Sequence, residues 1–165
     1  MARRARGLLL LFLTAGLVGC DHATKLAAES TLRGDGPVSV VPGLLDLRYA
    51  QNHGTAFSLI PGSELPALRI VLVAVALVAV AALAVVWWRR RAQAPSLELW
   101  GYAFVGAGAV GNLLDRVLRG YVVDFIHLRF WPIFNVADVA IAVGAGLLLV
   151  AALRGRAPPQ PSGAR

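Results

Sequence analysis

The sequence predicts an all-α membrane protein with four transmembrane helices and a small extracytoplasmic β-sheet on the membrane surface. Three observations carry that expectation. The 165 residues are 58% hydrophobic and 15% charged, against about 45–50% apolar and about 25% charged in soluble domains. The apolar residues fall in long uncharged runs. The clearest covers the nineteen residues 70–88, close to the ~20 needed to cross a bilayer core of about 30 Å. Between the first two runs, by contrast, Gly and Pro punctuate short stretches of alternating polarity, the pattern of strands and turns.

Taken in order, residues 1–6 hold Arg3, Arg4 and Arg6 and form a cytoplasmic N-terminus ahead of the first span, residues 7–27. The apolar run there ends at Cys20, so the span reaches membrane length only by including Asp21 and Lys25, four apart on one helical face. Residues 28–65 form an extracytoplasmic β segment, in which Leu45, Leu47 and Tyr49 alternate with Asp46, Arg48 and Ala50. The second span is 66–88, followed by an arginine-rich cytoplasmic loop, 89–95. The third span, 96–116, contains Gly101, Gly106, Gly108 and Gly111, small residues that let helices approach closely in a bilayer. Residues 117–134 form a second extracytoplasmic loop, with Ile126, Leu128 and Phe130 alternating with His127 and Arg129. The fourth span, 135–153, opens on Asn135 and Asp138, and 154–165 is a cytoplasmic tail rich in Pro, Gly and Arg. Lipid cannot satisfy free backbone groups, which makes helices the spanning form.

A net charge of +7 invites a nucleic-acid reading, but its distribution argues otherwise. Arg3, Arg4 and Arg6, then Arg89, Arg90 and Arg91, then Arg154, Arg156 and Arg165 all fall on one side of a four-span chain, which the positive-inside rule makes the cytoplasm. The other side, span ends included, carries seven basic and eight acidic residues. The basic excess is a topology signal. Trp87, Trp88 and Trp131 fit interfacial aromatic belts. Cys20 is the single cysteine and excludes an internal disulfide. It closes a Leu17-Val18-Gly19-Cys20 stretch like a lipoprotein cleavage site. Three more spans follow, however, whereas lipoproteins usually carry a soluble body.

Acidic residues in or beside membrane helices are costly and by default functional. Asp21, Asp115, Asp124 and Asp138 all fall near the extracytoplasmic surface, with Lys25, Asn52, Asn112, Arg116 and Asn135 at similar depth. Two carboxylates brought together in a poorly solvated site share a proton. One can then act as base toward water while the other protonates the scissile carbonyl. An aspartate protease is therefore chemically feasible. Structural roles compete with it: Asp21 with Lys25 and Asp115 with Arg116 read as ion pairs, and Asp138 suits a helix N-terminus. Spacing leaves six pairings among the four aspartates open. No HExxH motif is present, and His22, His53 and His127 lack metal-ligand spacing.

Five stretches also match a known family. Asp21-His22-Ala23-Thr24-Lys25, Asn52 to Ser58 (NHGTAFS), Gly108 to Arg116 (GAVGNLLDR), Gly120 to Phe125 (GYVVDF) and Phe134 to Asp138 (FNVAD) resemble, in order, the motifs of lipoprotein signal peptidases, or signal peptidase II. The resemblance spans about residues 8–153. It implies a multi-pass enzyme of the bacterial cytoplasmic (inner) membrane that removes signal peptides from diacylglyceryl-modified prolipoproteins, cutting before the lipidated cysteine. It further implies that Asp124 and Asp138 are the catalytic dyad, and that Asn52, Asn112, Arg116 and Asn135 line the site. Asp21, Lys25, Asp115, Gly54 and Gly108 would support them. The implied enzyme needs no metal or organic cofactor, binds no nucleic acid, acts as a monomer among membrane lipids and is inhibited by globomycin-type compounds. A transporter or channel subunit, or a non-catalytic assembly factor, could also carry four helices. The cytoplasmic halves of these spans hold almost no polar residues, which disfavours a transporter.

Overall fold

The computed structural model describes residues 2–54 and 66–155. The expected tail beyond 155, and residues 55–58 of the second motif, lie outside the described residues. The elements run α1 (Ala2–Leu32), β1 (Val38–Val41), β2 (Leu45–Asn52), α2 (Pro66–Arg90), α3 (Ser96–Leu118), β3 (Val122–Leu128) and α4 (Val136–Gly155).

Helix α3 is the hub against which α1, α2 and α4 pack. Its glycines divide the work. A Cβ on Gly108 would lie 2.2 Å from the Ala137 carbonyl oxygen, and one on Gly101 would meet Leu148 and the Gly144 carbonyl. Both therefore admit the backbone of α4. Gly111 faces Asp21 of α1, and Gly106 faces Leu83 of α2. Close packing through small residues is the main attraction between helices where lipid removes the hydrophobic drive.

Among the described residues, three helical stretches are long and apolar enough to cross a membrane: Arg6–Leu32, Arg69–Arg90 and Val136–Arg154. Within α2 no residue of the apolar stretch is buried by protein, so its apolar surface is left for lipid. Helix α3 is not among the three. It carries Glu98, Asp115 and Arg116, and it lies inside the bundle, with Leu99, Ala103, Ala107 and Leu113 among its buried residues.

The first helix runs to Leu32, five residues beyond the end expected at 27. Those extra residues have something to cover. Ala28 and Leu32 are buried against Phe125, with Leu47, Tyr49, Ile126 and Val136 around them, so the helix end docks on the sheet. That sheet is antiparallel in the order β1-β2-β3. The strand expected at Leu45–Tyr49 extends to Asn52. Its third strand comes from the loop after α3, where the alternation around Ile126 and Leu128 forms part of β3.

Candidate active site

The polar cluster is assembled by the sheet, by the turn after it, and by one buried cation. In the sheet, Leu47 pairs with Ile126 but Ala50 pairs with Asp124, so β2 spends three residues where β3 spends two. This bulge reverses the alternation of β2. Without it Gln51 would share the face of Asp124; with it Asn52 does, since a one-residue slip turns every side chain over. Asn52 donates from Nδ2 to Asp124 Oδ2 at 2.9 Å, and its own Oδ1 accepts the Gly54 N–H at 3.0 Å.

Beyond β3 the chain turns back and pairs Phe134 with Ile126 through mutual backbone hydrogen bonds of 2.9 and 3.0 Å. Asn135 is thereby set beside Asp124, to which its Nδ2 donates at 2.6 Å. The same residue caps α4. Its Oδ1 accepts the Asp138 N–H at 3.0 Å, while Asp138 Oδ2 accepts the Asn135 N–H at 3.3 Å. That reciprocal pair is a capping box. Asn135 thus touches both aspartates, one by its amide and one by its backbone.

The second oxygen of Asp138, Oδ1, accepts from Asn112 Nδ2 at 2.8 Å. Lys25 sets the direction of that amide. An ammonium only donates, and Lys25 Nζ lies 3.1 Å from Asn112 Oδ1, so the NH₂ group must face Asp138. The other two donors of Lys25 reach Asp21 Oδ2 at 2.8 Å and Asp115 Oδ2 at 2.9 Å. Lys25 is fully buried, and these three partners satisfy its three N–H groups. Each carboxylate then holds something else in place. Asp21 Oδ1 accepts the Ala137 N–H at 2.8 Å, at the start of α4. Asp115 Oδ2 accepts the Val123 N–H at 3.1 Å, next to Asp124. Among the described residues, no buried side-chain polar atom lacks a partner.

Asp124 and Asp138 face a cavity of about 190 Å³ that also takes in Asn52, Asn112, Arg116 and Ala76 and Ala79 of α2. Burial pushes the Asp124 carboxyl up to about 6. The neighbouring Asp138 charge acts in the same direction, while hydrogen bonds from Asn52 and Asn135 oppose it, because they favour the charged form. The Arg116 guanidinium is held only loosely, at 3.3 Å from the Asn112 carbonyl and 3.4 Å from the Gly54 carbonyl. Most of its N–H donors remain available to a bound molecule.

Of the residues singled out from sequence, Asn52, Asn112, Arg116, Asp124 and Asp138 line this cavity, and the fully buried Asn135 bonds to Asp124. Asp21, Lys25 and Asp115 form the layer beneath. Gly54 binds at its edge, and Gly108 acts at the α3–α4 contact instead. The Asp115–Arg116 ion pair does not form. Consecutive helical residues diverge by about 100°, and Asp115 pairs with Lys25 and Arg119. Arg119 belongs to none of the motifs, and its i,i+4 spacing from Asp115 is the ordinary signal for such a pair. The walls supplied by Ala76 and Ala79 carry no sequence signal. Leu17 to Cys20 lies within the unbroken helix α1, with Cys20 exposed.

Residues 13–154 match the family described as signal peptidase (SPase) II. A lipoprotein signal peptidase of Pseudoalteromonas translucida is 36% identical over 162 residues, covering 93% of each chain. One from Sinorhizobium fredii is 41% identical over 148 residues, covering 85% of this chain and 82% of its own. A solved structure described as a bacterial membrane enzyme superposes with a TM-score of 0.81 at 25% identity, covering 95% of this chain and 94% of its own. A second, also a bacterial membrane enzyme, reaches 0.75 at 28% identity.

Proposed function

The chain belongs to the signal peptidase II family, and within that membership we propose that it is an aspartate endopeptidase acting on prolipoproteins through Asp124 and Asp138. The observation that carries this choice among the four aspartates is the shared partner Asn135, bonded to both carboxylates over one cavity. Asp21 and Asp115 are instead committed to Lys25.

The pair holds one proton between its two carboxylates. The ionised member takes a proton from water as the water oxygen attacks the scissile carbonyl carbon. The protonated member gives its proton to the carbonyl oxygen, leaving a neutral tetrahedral diol. Return of a proton to the amide nitrogen breaks the C–N bond, and a hydroxyl proton of the diol restores the shared proton. The products are the signal peptide with a new carboxyl end and the free amine of the lipidated cysteine. Asn52, Asn112 and Asn135 orient the carboxylates, and Arg116 offers its free donors to substrate carbonyls. Lys25, Asp21 and Asp115 hold that layer rigid.

In this reading α3 is a fourth span. Its 23 residues rise about 34 Å, enough to cross alongside its three neighbours. The arginine clusters put both termini in the cytoplasm of a bacterial inner-membrane enzyme, and the acidic pair near the extracytoplasmic face. Cleavage falls before the diacylglyceryl-cysteine, the enzyme works as a monomer among membrane lipids, and globomycin-type inhibitors occupy the same cavity. Asp124→Asn and Asp138→Asn test the assignment in detergent-solubilised enzyme with a lipid-modified prolipoprotein substrate. Each is expected to lower kcat by at least about 10³-fold while the protein still folds. Retained cleavage in either variant overturns it.

A further inference from the structure

Away from the acidic site, two cavities meet at the arginine end of the bundle. One, of about 190 Å³, runs between α1 and α2 over Gly106 of α3. The other, of about 470 Å³, opens at the helix ends and takes in Arg6 and Arg91. They share Leu10, Leu11 and Trp87, so they make one groove with a cationic mouth and an apolar floor. Arg6 precedes Asp21 by fifteen positions on α1, a rise of about 22 Å, which sets the mouth of this groove far from the polar end of the bundle.

The arginines at the mouth lack an acid. Arg90 takes Glu98 with two 3.0 Å bonds. Arg6 reaches only the Ala94 carbonyl, at 3.4 Å, and Arg91 lies over the Trp88 ring and donates to the Trp88 carbonyl. Among the described residues neither meets a carboxylate. The floor offers water no free donor. Its polar side chains, Thr14 and Tyr102, are spent on the Leu10 carbonyl and on Glu98, and a buried water needs two to four polar partners, by the usual rough count.

We propose that this groove binds an anionic phospholipid of the membrane, with the phosphate on Arg6 and Arg91 and an acyl chain between α1 and α2. Free phosphate would leave the floor empty, and the basic end of a signal peptide would be repelled by the mouth. The bound chain also has a mechanical effect. Helix α2 packs chiefly on α3. The groove residues Val80 and Leu83 continue the helix that presents Ala76 and Ala79 to the acidic cavity. Filling the groove braces that wall.

The test is native mass spectrometry of the full-length, delipidated protein, titrated with dioleoylphosphatidylglycerol or dioleoylphosphatidylcholine. Two arginines at a membrane surface correspond to about thirtyfold tighter binding of the anionic lipid. Arg6→Gln with Arg91→Gln is expected to erase that preference, Arg6→Lys with Arg91→Lys to keep it, and Arg89→Gln with Arg154→Gln to leave it unchanged. Gly106→Leu, or Ala84→Phe on the exposed side of the crevice, is expected to weaken both lipids. Equal affinity for the two lipids overturns the proposal. So does equal loss of preference with Arg89→Gln and Arg154→Gln, which would mean diffuse charge attraction, or undiminished binding in a variant whose crevice is filled and whose helix content is intact.

Discussion

Lys25→Met removes the cation on which three helices and a strand converge. Nζ has contacts of 2.8, 2.9 and 3.1 Å with Asp21, Asp115 and Asn112, and the side chain is fully buried. Methionine fills most of the same volume, so the loss is electrostatic. Breaking a buried ion pair by removing one partner costs about 3–5 kcal/mol, because it strands the remaining charge. The two carboxylates are not stranded equally. Asp115 keeps Arg119 and the Val123 N–H, while Asp21 keeps only the Ala137 N–H. Adding Asp21→Asn to Lys25→Met should therefore restore up to about 3 kcal/mol. Equilibrium unfolding in mixed micelles, titrated with denaturing detergent, measures both variants. The exposed pair Arg33–Glu29 supplies the contrast, with Arg33→Ala expected to change stability by less than about 0.5 kcal/mol. A Lys25→Met penalty as small as that of Arg33→Ala, or a double variant weaker than the single one, would refute the reasoning.

Other expectations follow from the same geometry. Asp124 titrates near 6, so kcat/KM of the free enzyme should fall as pH rises through about 6, when the pair loses its shared proton. A flat profile there counts against a shared proton. Asn52→Ala removes a bond that favours the Asp124 carboxylate, and the alkaline limb should move to higher pH; a shift the other way would be contrary. Because burial raises the folded-state value of Asp124, its stabilising contribution is full below the unfolded value of about 4 and is lost as pH climbs through about 6. Denaturation midpoints measured across that window should decline, and Asp124→Asn should flatten the decline. Gly108→Ala drives a Cβ into the Ala137 carbonyl and should cost about 1–3 kcal/mol. Gly146, with nothing within 4 Å, should accept Ala with a gain of about 0.5–1 kcal/mol.

Much of the site was legible in outline. Aspartates and asparagines inside apolar stretches stand out because bilayers tolerate few polar groups. The spacings Asp21–Lys25 and Asn135–Asp138 correctly put each pair on one helical turn. The ion pair read into Asp115 and Arg116 was wrong, since adjacency in a helix is not proximity of side chains. The helix end at Leu32 was equally hidden. What prolongs α1 is the underside of a sheet whose third strand lies ninety residues downstream.

The sequence alone determined the membrane character, the apolar helices and the polar end of the bundle, because those follow from local composition and from period. The motif resemblance implied the pairing of Asp124 with Asp138, and only tertiary structure supplies the contacts that set those two apart from Asp21 and Asp115. A bulge in β2 turns Asn52 toward Asp124, a returning loop lets Asn135 reach Asp124 and Asp138, and Lys25 claims Asp21 and Asp115. The bonds from Asn52 to Asp124 and from Lys25 to Asp115 join residues far apart in the chain, and no periodicity or spacing within one segment encodes which distant partner a carboxylate will meet.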